Sequence, residues 1–227
     1  MLKKTLLAAA ICGLAVTAVQ ANEVSGYLTA SVGQAKAEKS KAAKFVQSEW
    51  KELGGSTSTN RSSTGHKIVV GLNVNPNLAL ELQYTDLGKE TYKGRNSDSY
   101  PNGSWNESEK LDMKTRGLGA NIVGIIPIED FTLFGKAGYH SLRTKASYKY
   151  NDTDTFMGVT DVYSESASKT VTKWAPLIGV GASYDMTPEL SVVAEYERYH
   201  KVANKKVDGV SLKHDIDFAS VGLRYSF

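Results

Sequence analysis

The sequence predicts an all-β fold, an eight-stranded antiparallel transmembrane β-barrel, on three observations. Eight segments alternate apolar and polar residues with period two, each close to the roughly 9–11 residues of a membrane-crossing strand. The connections between these segments alternate between short and long. The last segment continues to the C-terminal residue and ends on the aromatic side chain of Phe227. Alternation alone also fits a secreted β-sandwich, so the other two observations have to decide.

One face of every alternating segment is apolar, and the opposite face collects charged, amide, hydroxyl and glycine residues. The segments span residues 24–34, 65–75, 78–88, 113–125, 131–143, 173–184, 190–199 and 214–227. An even number of strands with an apolar outer face and a polar inner face is typical of a barrel in a bacterial outer membrane.

The lengths of the connections favour the barrel over the sandwich. Three are short and four are long and polar, and they follow each other in strict alternation. The short ones are 75–77, 127–130 and 185–189, and the long ones are about 35–64, 89–112, 144–172 and 200–213. Tight periplasmic turns and long extracellular loops produce this order in membrane barrels. Sandwich connections do not alternate in this way.

The first 21 residues have the layout of a secretory signal peptide. A short basic head ending at Lys4 precedes an apolar run that extends to Val19, and small residues lead up to Ala21. We expect cleavage after Ala21 and export through the inner membrane, which leaves residues 22–227 as the barrel domain. Cys12 is the only cysteine and lies in the removed segment, so the mature chain has neither a disulfide nor a thiolate metal site.

The net charge gives no support for nucleic-acid binding. The whole chain carries a formal net charge of +3 from 27 basic and 24 acidic residues. Loss of Lys3 and Lys4 with the signal peptide leaves 25 basic against 24 acidic residues, a net charge of +1. A nucleic-acid surface needs a clustered excess of positive charge, so nucleic-acid binding loses its main support and is not expected.

The last eight residues form a polar-x-Gly-x-x-aromatic-x-Phe pattern through Ser220, Gly222, Tyr225 and Phe227. This pattern resembles the C-terminal assembly signal of bacterial outer-membrane barrels. The resemblance implies recognition of the strand by the barrel-assembly machinery during biogenesis.

Several strand segments resemble the transmembrane domain of the outer membrane protein A family. Gly179-Val180-Gly181-Ala182-Ser183-Tyr184 with Thr187-Pro188-Glu189-Leu190 is similar to its last hairpin, and Phe134-Gly135-Lys136-Ala137-Gly138 is similar to a middle strand. The resemblance covers most strands and none of the loops. It implies an eight-stranded monomeric barrel. No peptidoglycan-binding domain follows Phe227, so the wall-tethering role of two-domain members is not expected.

Five charged residues fall on the inward faces of the segments: Lys67, Glu81, Lys136, Glu195 and Arg224. Opposite charges in a narrow, poorly hydrated lumen are expected to pair, because an unpaired buried charge is costly. Counting from the turns places Lys136 and Glu195 at similar depth, and Glu81 and Arg224 near the periplasmic end. Two interpretations stay open: a salt-bridged plug that holds the barrel rigid, and a gate of switchable pairs in a narrow channel.

The family resemblance bears on the same charges. Lys136 matches a basic lumen position of the family, and Glu81 and Glu195 match acidic ones. The basic partner that the family carries on the seventh strand is replaced here by Val193, so the family's pairing does not carry over intact.

Glycines are concentrated on the polar face. Eight of them fall there: Gly33, Gly71, Gly117, Gly119, Gly138, Gly179, Gly181 and Gly222. The lumen of an eight-stranded barrel is just wide enough to be filled by side chains, so the sequence predicts that these glycines make room for larger neighbours.

The long loops are the candidate contact surfaces. In the first, Ala42, Phe45, Trp50 and Leu53 have roughly helical spacing, which leaves a short amphipathic helix and a solvated loop as alternatives. Such a helix could rest on lipopolysaccharide phosphates or on a host surface. The other loops are rich in Tyr, Ser, Asn and Asp, a composition that suits an interfacial girdle, strand extensions or adaptable surface contacts.

The sequence predicts no catalytic, metal or cofactor site. The most suspicious group is His214, Asp215 and Asp217 with His200 across the fourth loop, which resembles the needs of a rim hydrolase. Known barrel proteases use larger barrels with carboxylates from opposite walls. The leading hypothesis is a structural and surface-interaction protein of the outer membrane that acts through its loops. A narrow gated channel is the alternative, and a rim hydrolase is a distant third.

Overall fold

The computed structural model describes residues 25–207 and 210–227. The predicted signal peptide, with Cys12 inside it, lies outside the described residues. The eleven described strands and the described helix are, in chain order, β1 (Gly26–Ala37), α1 (Lys41–Glu52), β2 (Ser56–Asn60), β3 (Ser62–Asn75), β4 (Leu78–Tyr100), β5 (Gly103–Ile128), β6 (Phe131–Phe156), β7 (Val159–Asp185), β8 (Leu190–Val202), β9 (Lys206–Val207), β10 (Val210–Ser211) and β11 (His214–Ser226).

Eight of these strands close into a ring in the order β1-β3-β4-β5-β6-β7-β8-β11, and every neighbouring pair is antiparallel. The last strand pairs with the first from Tyr27 opposite Ser226 to Ala37 opposite Ile216. Gly26 and Phe227 exchange two backbone hydrogen bonds of 2.9 Å at the end of this seam. The closed eight-stranded barrel predicted from the alternation is confirmed.

The wall has its apolar side chains on the outside and its polar ones inside. Leu82 and Ile122 are 59% and 60% exposed, whereas Glu81 and Asn121, their neighbours in sequence, are 2% and 3% exposed. A protein in water would have the opposite arrangement. Outward Leu, Ile and Val side chains along all eight strands form a band that membrane lipid can cover, as a transmembrane barrel requires.

The predicted loops 89–112 and 144–172 are not loops for most of their length. β4 and β5 continue to a two-residue turn between Tyr100 and Gly103, and β6 and β7 continue to a turn between Phe156 and Val159. β2 adds to the free side of β4. We call residues 56–60, 89–100, 103–114, 145–156 and 159–172 the extracellular sheet. Apart from a small apolar cluster on the inward face that includes Tyr92 and Met113, its strands are polar on both faces. Most of their length therefore lacks the hydrophobic alternation on which strand prediction depends.

Helix α1 replaces part of the first predicted loop, which settles the alternative that the sequence left open. The side chain of Ser40 caps its N-terminus by accepting a hydrogen bond from the backbone N–H of Ala43 at 3.1 Å. Trp50 is buried against Gly94 on the inward face of the extracellular sheet, while Phe45 stays half exposed. Within the described residues, no helix has the length and apolar character needed to cross a membrane.

Glycines make room for large side chains in the lumen, as the sequence predicts. A Cβ atom added to Gly119 would lie 2.2 Å from Cγ of His140, because that imidazole packs flat against the strand. Gly124 lies five residues further along the same strand but faces outward. A Cβ atom there would have no neighbour nearer than 4.0 Å.

This contrast predicts opposite outcomes for one substitution at two positions of β5. Gly119→Ala forces the buried His140 ring to move, and overpacking of this kind costs about 1–3 kcal/mol. Gly124→Ala adds a methyl group on the lipid side and should leave the free energy of unfolding unchanged. Guanidinium unfolding in lipid vesicles, read as loss of the faster-migrating band of unboiled samples on SDS gels, measures both. Equal stability of the two variants would contradict the packed lumen.

Candidate functional site in the lumen and on the extracellular sheet

Five charged side chains meet in the middle of the lumen. Nζ of Lys136 lies 2.8 Å from Oε1 of Glu195, 3.1 Å from Oε2 of Glu81 and 3.3 Å from Oε1 of Glu197. Nζ of Lys67 contacts Glu195 and lies 2.9 Å from Oε1 of Glu197. All five side chains are almost fully buried. We call this group the lumen ion cluster.

The cluster has three carboxylates but only two ammonium groups. Neutral hydrogen-bond donors supply further contacts to the carboxylates. The hydroxyl of Tyr199 donates to Glu197 at 3.0 Å, and the hydroxyl of Tyr27 donates to Glu81 at 2.9 Å. Asn121 adds a further hydrogen bond to Glu81 at 3.2 Å. These donors spread the excess negative charge, which lowers the cost of burying it.

Four of the predicted lumen charges come together, and the fifth stands apart. Arg224 forms no ion pair with Glu81 among the described residues. Its guanidinium lies 4.1 Å from the centre of the Tyr27 ring, and its Nε donates to Thr29 at 3.2 Å. Arg224 and Glu81 therefore approach Tyr27 from two sides, the first at its ring and the second at its hydroxyl.

Glu197 was missed as a member of the cluster, although it shares the inward face of β8 with Glu195 and follows it by one strand period. Val193 is buried on the same face and carries no charge. The second ammonium group comes instead from Lys67 on β3. Strand period alone could have found Glu197. The approach of Lys67 from another strand depends on barrel geometry, which a single sequence does not reveal.

The lumen ion cluster separates two different regions. On the periplasmic side lies an open vestibule of about 550 Å³, lined in part by Tyr27, Ser191 and Arg224. On the extracellular side an apolar layer that includes Leu177 and Phe218 fills the barrel. The described lumen is therefore occupied by side chains above the vestibule.

The C-terminal residues take part in closing the barrel. Tyr225 and Phe227 face outward with ring centres 6.4 Å apart, and Ser220 is buried on the inner side. A Cβ atom added to Gly222 would lie 2.2 Å from Oγ of Ser31 on β1. The glycine of the C-terminal pattern thus lets the last strand approach the first.

The suspected hydrolase group is divided between two faces of the wall. His214 is buried and points inward, where its Nε2 lies 3.2 Å from Oε1 of Glu90. Asp215 and Asp217 face outward and both contact the guanidinium of Arg198, at 3.3 and 3.2 Å. His200 also faces outward, and its Nδ1 lies 3.1 Å from Oδ2 of Asp215. The geometry therefore separates His214 from the suspected group and leaves His200 beside a carboxylate that Arg198 already engages.

His214 links the fourth loop to the barrel wall above the membrane. Its Nδ1 lies 2.8 Å from the backbone carbonyl of Leu212, and its Nε2 faces the Glu90 carboxylate. Both ring nitrogens therefore face oxygen acceptors, an environment that favours the doubly protonated ring. Burial opposes that protonation, but Glu90 and the Leu212 carbonyl outweigh it and raise the pKa of His214.

The inward face of the extracellular sheet combines tyrosines with carboxylates. The hydroxyl of Tyr100 donates to Asp154 at 3.0 Å, and the hydroxyl of Tyr150 donates to Glu107. Tyr163 packs edge-on against Tyr150 with ring centres 6.2 Å apart. The aromatic residues of the predicted loops thus lie in strand extensions above the membrane.

One edge of the extracellular sheet has no partner strand among the described residues. β7 begins at Val159, but its pairing with β8 covers only Leu177 to Asp185. All residues from 159 to 170 are exposed on both faces of the strand. We call residues 159–172 of this strand, which belong to the extracellular sheet, the free β7 edge.

Comparison with known proteins identifies the family. The family model described as the outer membrane protein beta-barrel domain matches residues 5–227. The chain belongs to this family. No curated protein shows significant sequence similarity to this outer-membrane barrel.

Solved structures of outer-membrane barrels are similar to this chain. Neisserial surface protein A superposes with a TM-score of 0.51 at 18% identity, over 89% of this chain and 97% of that one. The attachment invasion locus protein Ail of Yersinia pestis gives 0.41 at 17% identity, over 89% and 99%. The protease OmpT of Escherichia coli gives 0.40 at 12% identity, over 92% and 98%. At 18% identity, the likeness to Neisserial surface protein A concerns the fold alone.

The lumen ion cluster predicts a large loss of stability on removal of Lys136. Lys136→Met leaves three buried carboxylates with one ammonium group, and breaking a buried pair costs about 3–5 kcal/mol. Lys136→Met combined with Glu195→Gln removes one charge of each sign and should recover part of this loss. Guanidinium unfolding in vesicles tests both, with the exposed Lys169→Met as control. A single variant as stable as the control would contradict the cluster's role.

The environment of His214 predicts a pH dependence of fixed sign. Because the pKa of His214 is raised in the folded state, protonation of this residue stabilises the fold. The stabilisation is complete below about pH 6.5, the ordinary pKa of histidine, and it is lost as pH rises through the folded-state pKa. The protection factors of amides near Leu212, which correct for the intrinsic pH dependence of hydrogen exchange, should therefore fall as pH rises above that range. An NMR titration should place the pKa of His214 above 6.5. Glu90→Gln should lower this pKa. A wild-type value at or below 6.5 would refute the interpretation.

Proposed function

We propose that this outer-membrane barrel is a structural and surface-interaction protein that makes contact with partners through its extracellular sheet. The observation that carries the proposal is the free β7 edge, which presents a long row of unpaired backbone groups outside the membrane. Unpaired edges of this kind are templates for the addition of another strand.

The side chains along the free β7 edge suit strand addition. Its outward positions carry mostly small hydroxyl residues and no charge: Thr160, Val162, Ser164, Ser166, Ser168, Thr170 and Thr172. Proteins usually protect an exposed edge with proline, repeated lysine or a bulge. Residues 159–172 contain no proline and Lys169 is their only lysine. The partner class is therefore an extended segment of a protein on a facing surface.

The lumen supports a structural role in preference to the channel. Lys67, Lys136 and their three carboxylate partners are buried in contact with one another, and an apolar layer lies above them. Ions crossing the barrel would have to break these contacts and displace the layer. The cluster instead braces strands from opposite sides of the ring.

The N-terminal and C-terminal segments carry the sequence features that we link to export and to barrel assembly. We propose that residues 1–21 direct export and are cleaved, and that Ser220, Gly222, Tyr225 and Phe227 present the last strand to the barrel-assembly machinery. The mature barrel then resides in the bacterial outer membrane among its lipids and lipopolysaccharide.

Shortening the β6–β7 hairpin tests the proposed contact. Replacing residues 152–163 by Asn-Gly joins Asn151 to Ser164, which face each other across the hairpin, and removes the outer part of the free edge. A laboratory strain expressing the wild-type protein should adhere to an array of immobilised extracellular proteins and glycans. The shortened variant should lose most of that adhesion while its heat-dependent gel shift is retained.

A matched control shortens the neighbouring hairpin and leaves the edge intact. Replacing residues 98–105 by Asn-Gly joins Ser97 to Asn106, an opposed pair of β4 and β5. Adhesion should persist in this variant. If both truncations act alike, or if the wild-type strain adheres no better than cells without the protein, the free β7 edge is not the contact surface.

A further inference from the structure

The outward face of the extracellular sheet carries rows of basic residues directly above the lipid-facing band. Arg116 lies opposite Arg143, and in the next row Lys114 lies between Lys89 and Lys145. These side chains are exposed on the side of the wall that faces the membrane lipids lower down. We call the outward residues of these two rows and of the two rows above them the basic face.

The third row, in which Asp112 lies between Thr91 and Ser147, carries no basic residue. The fourth row repeats the arrangement, with Lys110 between Lys93 and Lys149. Only two carboxylates share the basic face. Asp112 lies 3.0 Å from Lys110, and Asp86 lies 3.1 Å from Lys114. Burial disfavours ionisation of Asp112, but the Thr91 hydroxyl and the neighbouring lysines outweigh it and lower its pKa, so this carboxylate is already ionised and engaged.

Like charges directly opposite each other destabilise a sheet. Among the described residues, no carboxylate lies within 4 Å of four members of the basic face, so their mutual repulsion is not relieved. These four are Arg116, Arg143, Lys145 and Lys149. The opposite face of the same strands carries acids such as Glu107, so the two signs are separated across the sheet. An arrangement that costs stability in the isolated chain becomes favourable when anions bind between the rows.

The position of the rows indicates which anions. Leu118 and Trp174 are outward, exposed residues at the upper end of the lipid-facing band, and Arg116 follows Leu118 by one strand period. Successive rows are about 6.6–6.8 Å apart along the strand, and neighbouring strands are about 4.7–4.9 Å apart. The lowest rows therefore lie at the height of lipid head groups, where a phosphate oxygen can reach cations on two strands at once.

We propose that the basic face binds the phosphate groups of the phosphorylated glycolipid in the outer leaflet of the same membrane. Each phosphate is held between cations of adjacent strands, which turns the repulsion within a row into a lipid-binding site. The proposal depends on the orientation of the barrel in the membrane and not on a partner for the free β7 edge, so either can fail without the other.

Titration with a defined lipid tests the proposal. The protein in uncharged detergent micelles is titrated with fluorescent lipid A that carries both phosphates, and with the same lipid after enzymatic removal of the phosphates. The wild type should bind the phosphorylated lipid at least tenfold more tightly than the dephosphorylated one, and added salt should weaken the binding. Equal affinity for the two lipids would overturn the proposal.

Charge removal locates the site. Lys114→Gln, Arg116→Gln and Lys145→Gln together should weaken binding of phosphorylated lipid A at least tenfold and leave binding of the dephosphorylated lipid unchanged. Without lipid, the triple variant should unfold at the same or a higher denaturant concentration than the wild type, because repulsion is removed. Unchanged affinity for the phosphorylated lipid in this variant would overturn the proposal.

The helix supplies the matched control. Lys41, Lys44 and Lys51 lie on α1, and their replacement by Gln changes the net charge by the same amount. This variant should bind phosphorylated lipid A as the wild type does. If it loses the lipid instead, the site lies on the helix and the proposal is wrong. The proposal also fails if a soluble sulfated polysaccharide binds the wild type more tightly than the lipid does.

Discussion

The structure depends on one constraint: inside lipid, every backbone N–H and C=O group must find its partner within the wall. A sheet can meet this requirement only by closing, because an open edge would leave a row of unpaired groups in hydrocarbon. The seam between β1 and β11 provides the closure, and it continues to the hydrogen bonds between Gly26 and Phe227. The strict alternation at the end of the chain follows from this requirement.

Closure with only eight strands makes the lumen narrow, and the narrow lumen decides what can occupy it. Charges that face inward lose most of their water, so they must be brought within direct reach of one another. Lys67 and Lys136 come from different strands and meet the same carboxylates of β8. Glycines such as Gly119 are the counterpart, since each gives up its own side chain to a larger neighbour across the wall.

The same constraint explains which parts of the structure the sequence could predict. Within the membrane the outer face of the barrel contacts lipid and the inner face contacts a polar lumen, so residue polarity shows which way a side chain points. The alternation of apolar and polar residues therefore predicts the eight spanning segments and inward residues such as Glu195. Above the membrane the outward face meets water and the inward face is apolar only near helix α1, so most of the hydrophobic alternation is lost although the strands continue. The pattern of residues 144–172 therefore predicts a loop. The partners of Lys67 depend on contacts across the ring, which a single sequence does not encode in its spacing.

Release from the lipid constraint is also what makes the extracellular sheet suited to interactions. Outside hydrocarbon, an edge such as residues 159–172 can remain open, since water satisfies its backbone groups until another strand replaces that water. The faces become free to separate charge, with tyrosines and carboxylates inward and the rows around Lys114 outward. The barrel fixes both features at a set height and orientation, because the hairpins that carry them are continuous with its wall. The same strands thus form a rigid barrel where they are surrounded by lipid and an exposed sheet where they are surrounded by water.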